Sequence, residues 1–206
     1  MIKEVLIKVT DEGVYKIPRF IKYFDNKNKE YKILYKGKIY KKESMQKEIR
    51  QITEVIEALN IKDKKERLKY VYDKACDILD DDFYGKNVCG FKNNKCIQDR
   101  SKENKCDGCC RCNDNKKHCM HLINHICSTK CLACKFHICL NLKRLGYKYK
   151  VNDILVLKYL LNWKQKIMLY LDFFMTPEEV ISDLYKNKII LWAFKKQKER
   201  FIIDGK

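Results

Sequence analysis

A chain of 206 residues has room for one ordinary domain or two small ones. With 46% hydrophobic and 35% charged residues it can bury a real core, and seven Gly and two Pro exclude a collagen-like or low-complexity chain. Forty-five Lys and Arg against 27 Asp and Glu leave a net charge of +18, which attracts polyanions. Only seven of the basic residues are Arg, and the abundance of Lys, Asn, Ile, Tyr and Phe matches an AT-rich coding sequence. Lysine offers a point charge where Arg makes bidentate contacts to phosphate and guanine. Sequence-specific recognition of nucleic acid therefore does not follow from the charge.

The first 42 residues read as a small β unit. Val5 to Val9 alternates as a strand, Asp11 to Gly13 is a turn, and Lys32–Lys36 faces Lys38–Lys41 across Gly37 as a hairpin. From Ser44 the period changes. Met45, Ile49, Ile52, Ile56 and Leu59 recur at three- and four-residue steps, the stripe of an amphipathic helix capped by Ser44 and stopped at Asn60. A second helix is expected from Asp63 to Asp81, with Leu68, Val71, Tyr72, Ala75, Ile78 and Leu79 on its apolar side. Regularity ends at Gly85. Between residues 85 and 146 polar residues, Cys and His dominate, and so little apolar material needs metal or disulfides to hold a fold.

Helical periodicity returns in Ile154, Leu157, Leu160 and Leu161, then in Ile167, Met168, Leu171 and Phe174, as two packed helices or one kinked one. Thr176, Pro177, Glu178 and Glu179 form a start signal: a capping hydroxyl, Pro at the first helical position and acids in the first turn. Ile189 to Phe194 suits helix and strand equally. The expected fold is α+β, with a β unit and helical pair over 1–84, a Cys/His metal-binding module over 85–146 and a helical region over 147–206. The apolar stretch from Val151 to Met175 is interrupted by Asp153, Lys158, Lys164, Lys166 and Asp172, so it cannot be a membrane span. No export signal opens the chain. A cytoplasmic, reducing compartment follows, where clustered Cys serve as metal ligands more readily than as disulfides.

All 12 Cys lie between Cys76 and Cys139. The candidate ligands are Cys89, Cys96, Cys106, Cys109, Cys110, Cys112, Cys119, His121, His125, Cys127, Cys131, Cys134, His137 and Cys139. Two CxxC pairs, Cys106/Cys109 and Cys131/Cys134, supply the four thiolates of a tetrahedral zinc site, because a two-residue gap lets both sulfurs of a turn reach one metal. Other partitions stay open. Cys109/Cys112 with His121/His125 imitates a two-Cys, two-His finger with its halves too close together. Cys89 and Cys96 with Cys119, Cys139 or a His make a second set, so one to two Zn ions are expected. Cys127, Cys131 and Cys134, with Cys139 as a fourth ligand, instead suit a [4Fe-4S] cluster. The same spacing occurs in radical-SAM enzymes, but the chain after Cys134 is too short for their barrel. His118 reads as a surface residue, and Cys76, on the stripe of the second helix, reads as a small core residue.

Cys106, Asp107, Gly108, Cys109 and Cys110, together with Cys131, Cys134 and Cys139, resemble the YkgJ-type cysteine-cluster proteins, and the segment Lys130–Cys139 is similar to Cys-rich proteins of low-GC Firmicutes. The resemblance covers roughly residues 89–145 and departs from the YkgJ pattern in spacing and in extra His. It implies chelation of zinc or an iron–sulfur cluster and assigns no individual ligand.

Asp77, Asp80, Asp81 and Asp82 read as a solvated helix end. No phosphate loop, GxSxG or HExxH is present. Asn124, His125 and His137 hint at an HNH-type nuclease, but 21 residues between the CxxC pairs leave too little for its catalytic unit. Segment 85–150 carries 15 Lys and Arg against four acids, with Phe91, Phe136, Tyr147 and Tyr149 interleaved as candidates for stacking on bases. The sequence thus points to a basic, non-catalytic zinc-binding adaptor or nucleic-acid-binding protein, whose partner is nucleic acid or an acidic protein surface. An iron–sulfur electron-transfer or redox-sensing protein is the alternative.

Overall fold

The structure, a computed structural model, describes residues 2–9, 28–35, 37–39, 50–81, 85–88, 90–92, 95–96, 122–123, 126–127, 130–173 and 175–204. At positions 9, 50, 91–92, 95–96, 122–123, 126–127, 140–141 and 197–204 it describes the backbone alone. The expected turn at 11–13, the cap at Ser44 and the first residues of the expected first helix lie outside the described residues.

Three strands form the N-terminal sheet: β1 (Lys3–Val9), β2 (Lys29–Tyr35) and β3 (Lys38–Ile39), in the order β1-β2-β3. The β2–β3 pair is the expected antiparallel hairpin, with Tyr35 opposite Lys38 across Gly37 at φ +77°. A positive φ at this turn is the conformation glycine adopts without a Cβ penalty. β1 runs parallel to β2, with Ile7 opposite Ile33. Alternation puts Ile7, Tyr31 and Ile33 inside while Leu6 and Lys8 face out.

Helices α1 (Arg50–Asn60) and α2 (Lys64–Asp80) follow, joined by three residues. Ile52, Ile56 and Leu59 of the stripe expected from the sequence are buried in α1, and so are Val55 and Ala58. Asn60 ends the helix and ties it to the sheet: its side chain accepts from the Tyr31 N–H at 2.9 Å and donates to the Tyr31 carbonyl at 3.1 Å. Asp63 caps α2 by accepting from the Glu66 N–H at 2.8 Å.

Two hairpins of two-residue strands come next: β4 (Phe91–Lys92) with β5 (Lys95–Cys96), and β6 (Leu122–Ile123) with β7 (Ile126–Cys127). The chain then turns into two short helices, α3 (Leu132–Phe136) and α4 (Leu140–Arg144).

The helical return resolves into two helices, α5 (Leu155–Leu160) and α6 (Trp163–Leu171), the second started by a capping box between Asn162 and Gln165. α7 (Pro177–Lys186) starts where the sequence signals it, with Thr176 and Glu179 forming a capping box and Pro177 in the first turn. It stops at Asn187 in the left-handed conformation, φ 53°. The segment left undecided between helix and strand is helical, α8 (Ile189–Asp204).

One apolar core joins the N-terminal and C-terminal segments. Ile7 and Ile33 of the sheet, Val55 of α1, Leu68 and Val71 of α2, Leu157 of α5, Met168 of α6, Leu184 of α7 and Trp192 of α8 belong to one buried cluster. The architecture is α+β: a small three-stranded sheet followed by a mostly helical region. Among the described residues no helix is long and apolar enough to cross a membrane.

Candidate metal centre

Of the candidate ligands, Cys131, Cys134, His137 and Cys139 are described with their side chains, and Cys96 and Cys127 by backbone alone. Cys89, Cys106, Cys109, Cys110, Cys112, His118, Cys119, His121 and His125 lie outside the described residues.

The Cys131/Cys134 pair belongs to a helix with two differently made faces. Every residue of α3 is buried. Leu132 and Phe136, four apart and therefore on one side of a helix, enter the main core against α2 and α6. Cys131, Ala133 and Cys134 form a separate small cluster, on which Phe173 packs. Cys131, with extended backbone, precedes the helix and Cys134 is three residues on, and both belong to this cluster. They are 0% and 6% exposed.

Helix α2 sets the approach to this pair. Lys130 enters α3 with φ +49°, a left-handed conformation that costs a residue with a Cβ. Two donors from α2 hold its carbonyl: the Tyr72 hydroxyl at 3.0 Å and the Cys76 thiol at 3.1 Å. The same Tyr72 oxygen accepts from the Leu132 N–H at 3.3 Å. One buried hydroxyl thus bridges the peptide groups on either side of Cys131. On the far side, the Cys131 thiol donates to the Asp172 carbonyl at 3.5 Å, at the end of α6. Lys135, almost wholly buried, pairs with Asp80 of α2. A buried ammonium needs such a partner, so one member of the acidic group read as a solvated helix end instead braces α3.

Burial pushes the Cys76 thiol well above its ordinary range, against the opposing pull of Lys135. Burial also raises the Tyr72 hydroxyl, with a further upward push from Cys76 and smaller ones from Cys131 and Cys134. The neutral forms that make the hydrogen bonds to Lys130 are therefore the stable ones at neutral pH. Cys76 is a core thiol, as its place on the apolar stripe implies. Its unexpected partner is the backbone next to Cys131.

The four described ligand candidates fall into three environments. Cys139 is buried in another cluster, with Ile138 and Leu142, on which Val88, Tyr147 and Tyr149 pack. His137 is exposed at the end of α3, its ring edge-on to Phe173 at 5.9 Å. Among the described residues no three of His, Cys, Asp and Glu stand close enough to hold a metal ion. Cys131 and Cys134 are the two described ligand candidates that share a cluster. By backbone register Cys127 stands opposite Leu122, and Cys96 opposite Phe91, so each small hairpin closes on a cysteine.

Three of the aromatics read as base-stacking candidates have other work. Phe136 is buried, because its position four residues from Leu132 turns it into the core, where it cannot reach a base. Tyr147 and Tyr149 are half-buried against the Cys139 cluster. Tyr72, Lys135 and Asp172, which frame the Cys pair, escape a ligand-based reading of the sequence. A hydroxyl on the apolar stripe of α2 and an acid inside the apolar stretch 151–175 are the signals that mark two of them.

No family model and no curated protein matches this sequence, and no solved structure matches the fold.

Proposed function

We propose that this chain is a basic, non-catalytic metal protein that holds one to two zinc ions through its Cys/His segment and serves as an adaptor or as a nucleic-acid-binding protein. The observation that carries the metal reading is the setting of Cys131 and Cys134. Two buried thiols, one at the N-cap of a helix and one on it, share a small cluster while Leu132 and Phe136 anchor that helix in the core, and hydrogen bonds fix the backbone around Cys131. Thiols at CxxC spacing suit tetrahedral thiolate ligation, and Cys106/Cys109 is the second CxxC pair that would complete it. The resemblance of residues 89–145 to YkgJ-type proteins points the same way.

The basic charge of segment 85–150 carries the partner reading. Four-thiolate zinc removes about two charges per site, which leaves the segment positive and attractive to phosphate or to an acidic protein surface. Nucleic-acid binding of this kind has little sequence preference and weakens steeply as salt rises. A [4Fe-4S] cluster is the second reading, favoured by Cys127 closing β7 four residues before Cys131, so that three thiols follow one another through hairpin and helix. Metal analysis of anaerobically purified protein, with a visible absorption spectrum, separates the two. One to two equivalents of zinc without colour supports the first, and iron with broad visible absorption supports the second. Less than about half an equivalent of any transition metal, where one or two are expected for a structural site, refutes both.

A further inference from the structure

We propose that the outer face of α6, together with the start of α8, docks onto an anionic lipid bilayer. The inference is independent of the metal reading and rests on other residues. A helix on a protein surface normally buries one side and wets the other with polar residues. α6 departs from this. Its inner side buries Gln165, Met168 and Leu169. The opposite side presents Trp163, Ile167, Tyr170 and Leu171, which are 63%, 41%, 43% and 47% exposed. Steps of four, three and one residues keep these four within one quadrant or so of the helix. Lys164 and Lys166 stand at the two borders of that stripe, and α6 contains no acidic residue.

The start of α8, which packs on α6, carries a second exposed apolar face. Trp192 Nε1 donates to Asp172 Oδ1 at 2.8 Å and Lys196 Nζ lies 3.1 Å from the same oxygen, which ties α8 to the end of α6. Ile190, Leu191 and Phe194 are 69%, 60% and 60% exposed, and Lys195 is exposed beside them. A single exposed apolar side chain is ordinary, but a set of this size on two packed helices marks an interaction surface.

The chemistry selects the occupant. The Lys164 ammonium lies over the Trp163 ring, 5.7 Å from its centre. An indole with an ammonium beside it suits the boundary between hydrocarbon and phosphate headgroups. A second copy of a chain with net charge +18 would bring like charges together around the patch. Nucleic acid offers phosphate but no apolar counterpart for Ile167, Leu171, Ile190 and Leu191. An apolar groove on a partner protein typically receives one helical stripe, whereas here two neighbouring helices are apolar outward. An anionic bilayer provides both negative charge and an extended apolar layer. With no described helix able to cross a membrane, the contact is peripheral.

The test uses the full chain as purified with vesicles of phosphatidylcholine, alone or with about 30 mol% phosphatidylglycerol to set a negative surface potential. Co-sedimentation is expected with the anionic vesicles and about tenfold weaker with the neutral ones. Trp163 is exposed and Trp192 buried, so a blue shift of emission on binding reports Trp163. The variant Trp163→Ser/Ile167→Ser/Leu171→Ser keeps every charge and the whole buried face, and is expected to lose about tenfold or more in vesicle binding. Ile190→Ser/Leu191→Ser/Phe194→Ser gives a second arm, so that a folding failure in one set, seen by circular dichroism, leaves the other to decide. The proposal is overturned if folded variants bind as the wild type does, which would make the attraction charge alone. It is equally overturned if the wild type ignores anionic vesicles, or if it is a dimer that the variants dissolve.

Discussion

The two sides of α3 are built on opposite principles. One side, Leu132 and Phe136, is held by apolar burial in a core shared with α2 and α6. The other, Cys131 and Cys134, packs among the described residues with Ala133 and Phe173. The backbone around Cys131 is held by hydrogen bonds of Tyr72 to the Lys130 carbonyl and from the Leu132 N–H, and by that of the Cys131 thiol to the Asp172 carbonyl. Burial of carbon contributes free energy whatever else is present. A pair of thiols contributes little until a ligand ties them to groups elsewhere in the chain. The core side therefore fixes where the thiols stand, and the thiol side is where metal would add stability to a segment poor in apolar residues.

The sharpest way to break that contrast is to remove one thiol. Cys131→Ser and Cys134→Ser should each lose bound metal and leave residues 85–145 open to limited proteolysis, while the flanking helices persist. Structural zinc contributes about 10–16 kcal/mol of apparent binding free energy in finger peptides, and one lost ligand removes a large part of it. Retention of full metal by either variant would show that the pair is not a ligand pair.

Phe136→Ala attacks the other side of the same helix. Deleting a buried aromatic ring costs about 3–5 kcal/mol, so the thermal midpoint of the whole chain should fall. The fraction that remains folded should still carry its full complement of metal. If metal is lost in proportion to the Cys variants, the two sides are not separable and the contrast fails.

Cys76→Ser and Tyr72→Phe probe the backbone support between the sides. Each should cost about 1–3 kcal/mol, the first through an imperfectly satisfied buried hydroxyl and the second through an orphaned Leu132 N–H and the loss of one of the two donors to the Lys130 carbonyl. Metal stoichiometry should be unchanged in Cys76→Ser. Loss of metal there, with retention in Cys131→Ser, would place the site on α2 instead of α3.

The smallest effect belongs far from the thiols and calibrates the others. Thr176→Ala should cost about 1 kcal/mol by uncapping α7. The Thr176 backbone N–H, and then its hydroxyl, hold the Glu179 carboxyl below the usual carboxylate range. Since the folded chain then binds this proton less readily than the unfolded one, the box stabilises at neutral pH. That contribution fades as pH falls through the usual carboxylate range to the lowered value. Denaturation curves of Thr176→Ala and wild type should therefore converge toward acid, and a gap that widens instead would contradict the capping role.

What could be read along the chain was what is settled within a turn or two of backbone. The stripe of Ile52, Ile56 and Leu59, the caps at Asp63 and Thr176 and the hairpin across Gly37 all follow from side-chain period and from which residue satisfies a helix end. The CxxC spacing of Cys131 and Cys134 is local too, although the sequence reads it as a turn, whereas Cys134 lies on α3 with Cys131 as its N-cap. Only tertiary structure could decide that Phe136 turns inward instead of meeting a base, that Cys139 is buried in a different cluster from Cys134, and that Asp80 leaves the solvated end of α2 to pair with Lys135. The parallel pairing of β1 with β2 and the left-handed Lys130 are of this kind too, the latter held by Tyr72 and Cys76 from 58 and 54 residues away. Each of these depends on which distant element arrives beside a residue. Local period carries no record of that, because the free energy that decides it comes from packing between segments remote in sequence.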